Sequence, residues 1–155
     1  MQIRIAVEND IPSINRLLYE APVSTAQRRP DLFKADSKQY TDEQLREIVN
    51  DTNRPVFVAE ENGEIFGYAF CVFQKYPNDP FYTNVKTMRI DDICVDSRLR
   101  RRKIGTELFR FVVSFAKSLS CYNVTINVWA CNQEALRFFD TCGLRLQKVG
   151  LEKIL

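Results

Sequence analysis

Arg98-Leu99-Arg100-Arg101-Arg102-Lys103-Ile104-Gly105-Thr106 is the stretch that orders the rest of the chain. Five of the six residues from Arg98 to Lys103 are cationic. Directly after them, Ile104, Leu108, Phe111, Val112, Phe115 and Leu119 recur as one face of a four-turn helix packed on a sheet. The start of a helix already carries about half a positive charge, so cations gathered there are locally unfavourable. A bound anion removes the conflict, because free backbone N–H groups, the helix dipole and the side chains all point at it. Gly105 lets the backbone come close to such a ligand. Taken alone, the run also reads as a solvated charge face or as a nucleic-acid contact with a steep salt dependence. The 22 Lys/Arg stand against 20 Asp/Glu, a net charge of +2, and no second basic face accompanies the run. No nucleic acid is therefore expected as partner.

Working outward, Lys86 to Val95 reads as the strand that feeds this loop, ending Ile93-Cys94-Val95-Asp96. Upstream, Val56 to Glu60 and Ile65 to Phe73 are strands joined by Glu61-Asn62-Gly63-Glu64, which carries the Asn-Gly hairpin signal. Tyr76 to Asn84 is a loop. At the N-terminus Ile3, Ile5 and Val7 alternate as a half-buried strand. Asn9 or Asp10 then caps a helix through Leu18, with Pro12 in its first turn. Residues 21–40, including Ala21, Pro22, Arg28, Arg29, Pro30 and Asp31, read as loop. Thr41 and Gln44 form a capping box for a helix from Asp42 to Val49. Downstream, Tyr122 to Val128 is a strand and Asn132 to Asp140 a helix stopped by Gly143. Leu144 to Leu155 is expected as a terminal strand bulged at Gly150. The order β-α-α-β-β-β-α-β-α-β mixes hairpins with crossovers and gives an α+β, or mixed α/β, class.

No linker or repeat divides the 155 residues, so a single domain, 1–155, is expected. The 45% apolar and 27% charged fractions are those of an ordinary globular chain. Histidine is absent, which removes His bases, His metal ligands and Ser–His pairs. Cys71, Cys94, Cys121, Cys131 and Cys142 are odd in number and form no C-x-x-C pair, so neither a metal site nor a full disulfide set is expected. Met1-Gln2-Ile3-Arg4-Ile5 alternates at once with no apolar leader, and Glu107, Arg110 and Lys117 interrupt the most apolar helix. The expectation is a cytoplasmic protein without membrane association.

The strand, the basic loop and the helix together resemble the acetyl-CoA motif of the GCN5-related N-acetyltransferase superfamily. That motif is a strand followed by Gln/Arg-x-x-Gly-x-Gly/Ala at a helix start. Arg100, Lys103 and Gly105 take its three positions, with Lys103 replacing the middle glycine. A second block of the family, Asn-x-x-Ala-x-x-Phe/Leu-Tyr-x-x-x-Gly-Phe, is matched in spacing by Asn132, Ala135, Phe138, Phe139, Gly143 and Leu144. The resemblance covers essentially the whole chain. It implies a twisted mixed sheet splayed between its fourth and fifth strands and flanked by about four helices. It implies acetyl-CoA in that V, with pantetheine paired to the backbone of Ile93, Cys94 and Val95. The pyrophosphate would rest on N–H groups across Arg101, Arg102, Lys103, Ile104, Gly105 and Thr106, with Arg100 beside it. Asn132 would bond the pantetheine arm, and Phe139 would stand where the family places a tyrosine acid.

The activity implied is acetyl transfer from the thioester to a primary amine, by direct attack in a ternary complex. The amine must be deprotonated, although a free alkylamine has a pKa of about 10.4 on the lysine scale. Asp91 or Asp92, in Ile90-Asp91-Asp92-Ile93, is the candidate base. Adjacent strand residues face opposite sides, so one of the two is expected in the cleft. The glutamate used by enzymes that modify protein N-termini falls at Asn127, which argues against that subgroup. The acceptor is a small-molecule or protein amine, and a homodimer is left open. A second class of reading is an acyl-CoA-binding regulatory module with little turnover, resting on Phe139 in place of Tyr and Asn127 in place of Glu.

Overall fold

The computed structural model describes residues 1–21 and 23–155. Five strands, β1 (Gln2–Ile5), β2 (Val56–Glu61), β3 (Glu64–Gln74), β4 (Thr87–Val95) and β5 (Asn123–Ile126), form one sheet in sequence order. The first four pair antiparallel. The β2–β3 turn forms because Asn62 and Gly63 both take left-handed backbone, φ +54° and +80°, as the favoured two-residue hairpin turn requires. β5 joins parallel to β4, and the crossover this demands is supplied by α4 (Ile104–Ser118).

Two cores follow from the period-2 alternation of β2 and β3. On one face Val56, Val58, Tyr68 and Phe70 pack against α1 (Ile11–Glu20) and α3 (Asp42–Val49), through Ile14, Leu17, Leu45 and Ile48. On the other, Phe57, Ala69, Met88 and Ile90 pack against Leu108 and Val112 of α4 and Phe139 of α5 (Gln133–Thr141). Gly67 lets α4 lie close, since a Cβ there would come within 3.0 Å of Leu108 Cδ1 and 2.8 Å of the Cys94 carbonyl oxygen.

Two irregularities of the sheet shape the site. Phe70 opposes Asp92 while Cys71 opposes Ile90, so Asp91 is the extra residue of a β-bulge. The β4–β5 ladder runs from Thr87↔Asn123 to Ile90↔Ile126 and stops, whereas β4 continues to Val95. The sheet therefore opens between residues 91–95 and the chain after Ile126.

The structure corrects the sequence reading at four places. Residues 21–40 are not all loop: Val23–Arg28 is a short helix, α2, while Pro22 lies outside the described residues. Asp10 does not cap α1; its carboxylate accepts from the Val7 N–H at 2.8 Å and from Arg4 at 2.7 and 2.9 Å, closing a 3-10 turn over Glu8–Asp10. β5 is only Asn123–Ile126, shorter than 122–128, because its pairing ends where the sheet opens. Leu144–Leu155 pairs with no strand among the described residues, so it is an arm and not a terminal strand. The reason is steric separation: a cleft lies between the arm and the outer edge of β5. Among the described residues no helix is long and apolar enough to cross a membrane.

Candidate active site

The site is assembled from the end of β4, the loop after it and the first turns of α4 and α5. Asp96 closes β4 and is fully buried. It accepts from the Arg98 backbone N–H at 3.0 Å, from Arg98 Nε at 3.0 Å and Nη2 at 2.7 Å, and from Arg16 Nη1 at 2.7 Å. Arg98, then Arg16, hold its carboxyl well below the usual carboxylate range. The cationic run thus divides. Arg98 is turned back onto Asp96, and Arg100 lies 4.0 Å from Glu134 in the first turn of α5. Arg101, Arg102 and Lys103 are exposed.

Arg101 and Lys103 have left-handed backbone, φ +69° and +63°. That conformation is the one for which glycine is favoured, and Lys103 holds it with a side chain. Lys103 is also the N-cap of α4, and no side chain caps that helix. The leading N–H groups, those of Ile104, Gly105 and Thr106, are the donors a helix leaves without an intrahelical acceptor. Gly105 faces inward: a Cβ there would meet the Phe138 ring at 3.4 Å and Val95 at 3.6 Å, ordinary contacts. The seat of α4 on β4 and α5 therefore leaves room for a methyl group at this position.

Beyond the last β4–β5 pair, the β5-facing edge of residues 91–95 has no strand partner. Ile93 and Val95 turn their side chains to the α4 core, and Cys94 turns to the α1 core. Burial pushes the Cys94 thiol up to about 12, so it is not a ready nucleophile.

The bulge decides the placement of the two aspartates. Strict alternation would send them to opposite faces, but the extra residue breaks it. Burial, and behind it both carboxylates, raise the pKa of the Tyr40 hydroxyl on the α1/α3 face; burial and then Asp91 raise that of the Cys71 thiol on the α4 face, so Asp91 acts toward both sides of the sheet. Asp91 is ion-paired to Arg89 Nε at 2.7 Å. Asp92 is half-buried and accepts from the Tyr68 hydroxyl at 2.7 Å. Burial raises the Asp92 carboxyl above its ordinary value, opposed by the Tyr68 O–H and the Ile93 N–H. Tyr68 was not singled out as a site residue by the sequence, because its contact depends on a cross-strand register that the bulge shifts.

Asn132 caps α5, its Oδ1 accepting from the Ala135 N–H at 3.2 Å, which leaves its Nδ2 for another partner. Phe139 is buried, edge-on to Phe109 at 6.0 Å and to Phe138 at 5.0 Å. Phe138, not Phe139, is the ring against Gly105. Across the opening, Trp129 packs edge-on to Phe33 at 5.2 Å, and Arg28 Nη1 donates to the Cys131 carbonyl at 2.8 Å.

An unpartnered strand edge beside an uncapped helix start is chemically specific. The first offers main-chain donors and acceptors to an amide-bearing chain, and the second offers N–H groups and positive potential to a phosphate. These residues fit a cosubstrate that carries both.

Comparison with known proteins agrees with this geometry. The acetyltransferase (GNAT) family model matches residues 19–144. A glucosamine 6-phosphate N-acetyltransferase of Arabidopsis thaliana is 28% identical over 112 residues, covering 72% of this chain and 70% of the relative. A Bacillus halodurans protein, solved as a tetramutant, is 27% identical with a TM-score of 0.94 over 100% of both chains. An aminoglycoside acetyltransferase from an uncultured soil metagenomic sample shares the fold, at 22% identity and a TM-score of 0.71 over 99% of this chain and 95% of that one.

Proposed function

The chain belongs to the acetyltransferase (GNAT) family, and from that premise we propose that it moves an acetyl group from acetyl-CoA to a primary amine by direct attack, both substrates being bound together. Acetyl-CoA, the cosubstrate the family generally uses, supplies when bound an acetyl group activated as a thioester. The observation that carries the reading is the opening of the sheet past Ile90↔Ile126, with the uncapped start of α4 directly after it. In this reading the free edge of Ile93 to Val95 orients the pantetheine amides. The N–H groups of Ile104, Gly105 and Thr106, with Arg101, Arg102 and Lys103, hold the pyrophosphate. Asn132 Nδ2 donates to the same arm. Proximity of the two reactants contributes most of the rate, since effective molarities reach roughly 10⁵–10⁸ M.

Asp92 is the base, taking the proton from the amine nitrogen. Tyr68 orients its carboxylate, and burial makes it a stronger base than an exposed aspartate, closer to the amine it serves. Asp91, held by Arg89, sets the charge beside it. An amino-sugar phosphate is the first acceptor to test, by similarity to the Arabidopsis thaliana relative. The second reading, an acyl-CoA-binding module with little turnover, is favoured by one observation: the ring at the tyrosine position, Phe139, is buried and has no proton to give.

The test is amine-dependent CoA release over a panel of primary amines that includes glucosamine 6-phosphate. Asp92→Asn is expected to lower turnover by about 10²–10⁴ while a CoA-induced rise in melting temperature is retained. The wild-type rate should fall on the acid side as pH drops through the raised Asp92 pKa, and the variant should lose that limb. CoA binding without turnover on any amine leaves the binding-module reading. Absence of any thermal shift with CoA removes both.

A further inference from the structure

The face of the sheet opposite α4 and α5 carries both signs of charge beside the opening. Because α4 and α5 pack on one face, a phosphate held at the start of α4 lies on that side. The other face is left to the amine, and it is the face on which Asp92 meets Tyr68.

Arg89 belongs to this second face. Met88 and Ile90 turn into the α4 core, so the residue between them turns away from it. Arg89 opposes Thr125 in the last rung but one of the β4–β5 ladder, directly before the opening. Its Nε donates to Asp91 Oδ1 at 2.7 Å, and its side chain is 35% exposed. Neither Nη of Arg89 has a hydrogen-bond partner among the described residues. Two other arginines of this face are engaged. Arg28 Nη1 donates to the Cys131 carbonyl at 2.8 Å, and Arg54 lies 6.0 Å over the Tyr40 ring. A partly exposed ion pair contributes little to stability, so the fold itself gains little from a guanidinium at this place. A guanidinium held through Nε keeps its Nη pair for a second oxygen acceptor, and that planar fork suits a carboxylate or a phosphate. Strand rise puts the Arg89 and Asp92 backbones no more than about 10 Å apart, the span of one small molecule.

We infer that Arg89 selects the acceptor, and that the acceptor is a small primary amine which also carries an anionic group, a phosphate or a carboxylate. Its nitrogen meets the Asp92 carboxylate while its anion takes the Nη pair of Arg89. Asp91, bound to Nε, fixes the plane of the fork. A plain alkylamine does not engage the fork, and the second ammonium of a polyamine is repelled by it. The inference rests on the placement of the amine at Asp92 proposed above and deepens it by naming the acceptor class.

The experiment is calorimetric titration of the full chain, saturated with CoA, with matched pairs of amines. Glucosamine 6-phosphate against glucosamine is the phosphate pair; β-alanine against propylamine is the carboxylate pair. The anionic member of at least one pair is expected to bind at least about tenfold tighter, and the pair that does so identifies the anion. Arg89→Gln keeps a donor for Asp91 and removes the fork, so the preference should vanish while the neutral member binds as before. Arg28→Gln should leave the preference intact. Equal binding within both pairs overturns the inference. So does a preference that survives R89Q, or an equal loss for charged and neutral members, which would leave Arg89 only its contact with Asp91. CoA release is read separately. A preference lost in R89Q, with no turnover on any amine, removes the transfer reading and keeps the acceptor assignment; turnover without any preference does the reverse. Should R89Q fail to fold, R89K decides, since it keeps the charge and loses the fork: a reduced preference supports the inference and an undiminished one overturns it.

Discussion

Lys103 pays a backbone cost that a glycine would not. Its φ of +63° is left-handed, a conformation costing an L-residue roughly 1–2 kcal/mol. Its ammonium also sits at the positive end of α4, which no side chain caps. Lys103→Gly removes both penalties and adds unfolded-chain entropy of about 0.4–1 kcal/mol. The net expectation is a gain of about 1 kcal/mol in denaturant unfolding, with weaker CoA binding. Unchanged CoA affinity would show that the Lys103 charge does not reach the ligand. The cationic run was legible in the sequence as a cluster, but its division was not. Arg98 pairs with the buried Asp96, two positions away, and Arg100 meets Glu134 on a helix more than thirty residues on. Composition counts charges; only the fold assigns their partners. The same holds for Asp91 and Asp92, whose residue types were readable but whose placement depends on the bulge.

Elements written in local chemistry were read correctly. The hairpin at Asn62-Gly63 follows from backbone preference. The capping box forms as its residues predict, with the Gln44 N–H donating to Thr41 Oγ1 at 3.2 Å and the Thr41 N–H to Gln44 Oε1 at 2.9 Å. The apolar stripe of α4 needed only its period. Elements that depend on a distant partner were not legible: α2, the length of β5 and the state of the arm. The contact between α4 and the sheet yields a paired prediction. Gly67→Ala places a Cβ 2.8 Å from the Cys94 carbonyl, in the middle of β3, so something must shift. Overpacking of this kind costs roughly 1–3 kcal/mol, and the displaced group is the end of β4, so CoA affinity should fall with stability. Gly105→Ala meets its neighbours at 3.4 Å and fits. It should change stability by less than about 1 kcal/mol. Calorimetry and CoA titration on the two variants check the contrast; equal losses would mean that α4 is not seated through Gly67.

At the scale of the whole molecule, the family fold was expected from two short motifs, and the sheet opens between the fourth and fifth strands as that expectation required. The two sides of the opening have different connectivity. β2, β3 and β4 follow one another as an antiparallel meander, whereas β5 is reached only after the fifteen residues of α4. Contacts close in sequence form early in folding and long crossovers form late, because loop-closure entropy comes before the reward. The opening is therefore expected to be completed after the rate-limiting step, and a ligand that bridges β4, α4 and α5 would then find no binding surface in the folding transition state. On the proposed reading, CoA at 100 times its dissociation constant adds about 2.7 kcal/mol. All of it should appear as slower unfolding, roughly a hundredfold, with the folding limb unmoved. Stopped-flow chevrons with and without CoA measure this, and an accelerated folding limb would show that the opening forms early. Cleavage by a protease that outpaces reclosure follows the unfolding rate. The lifetime of the chain in a proteolytic environment then becomes a readout of cosubstrate supply.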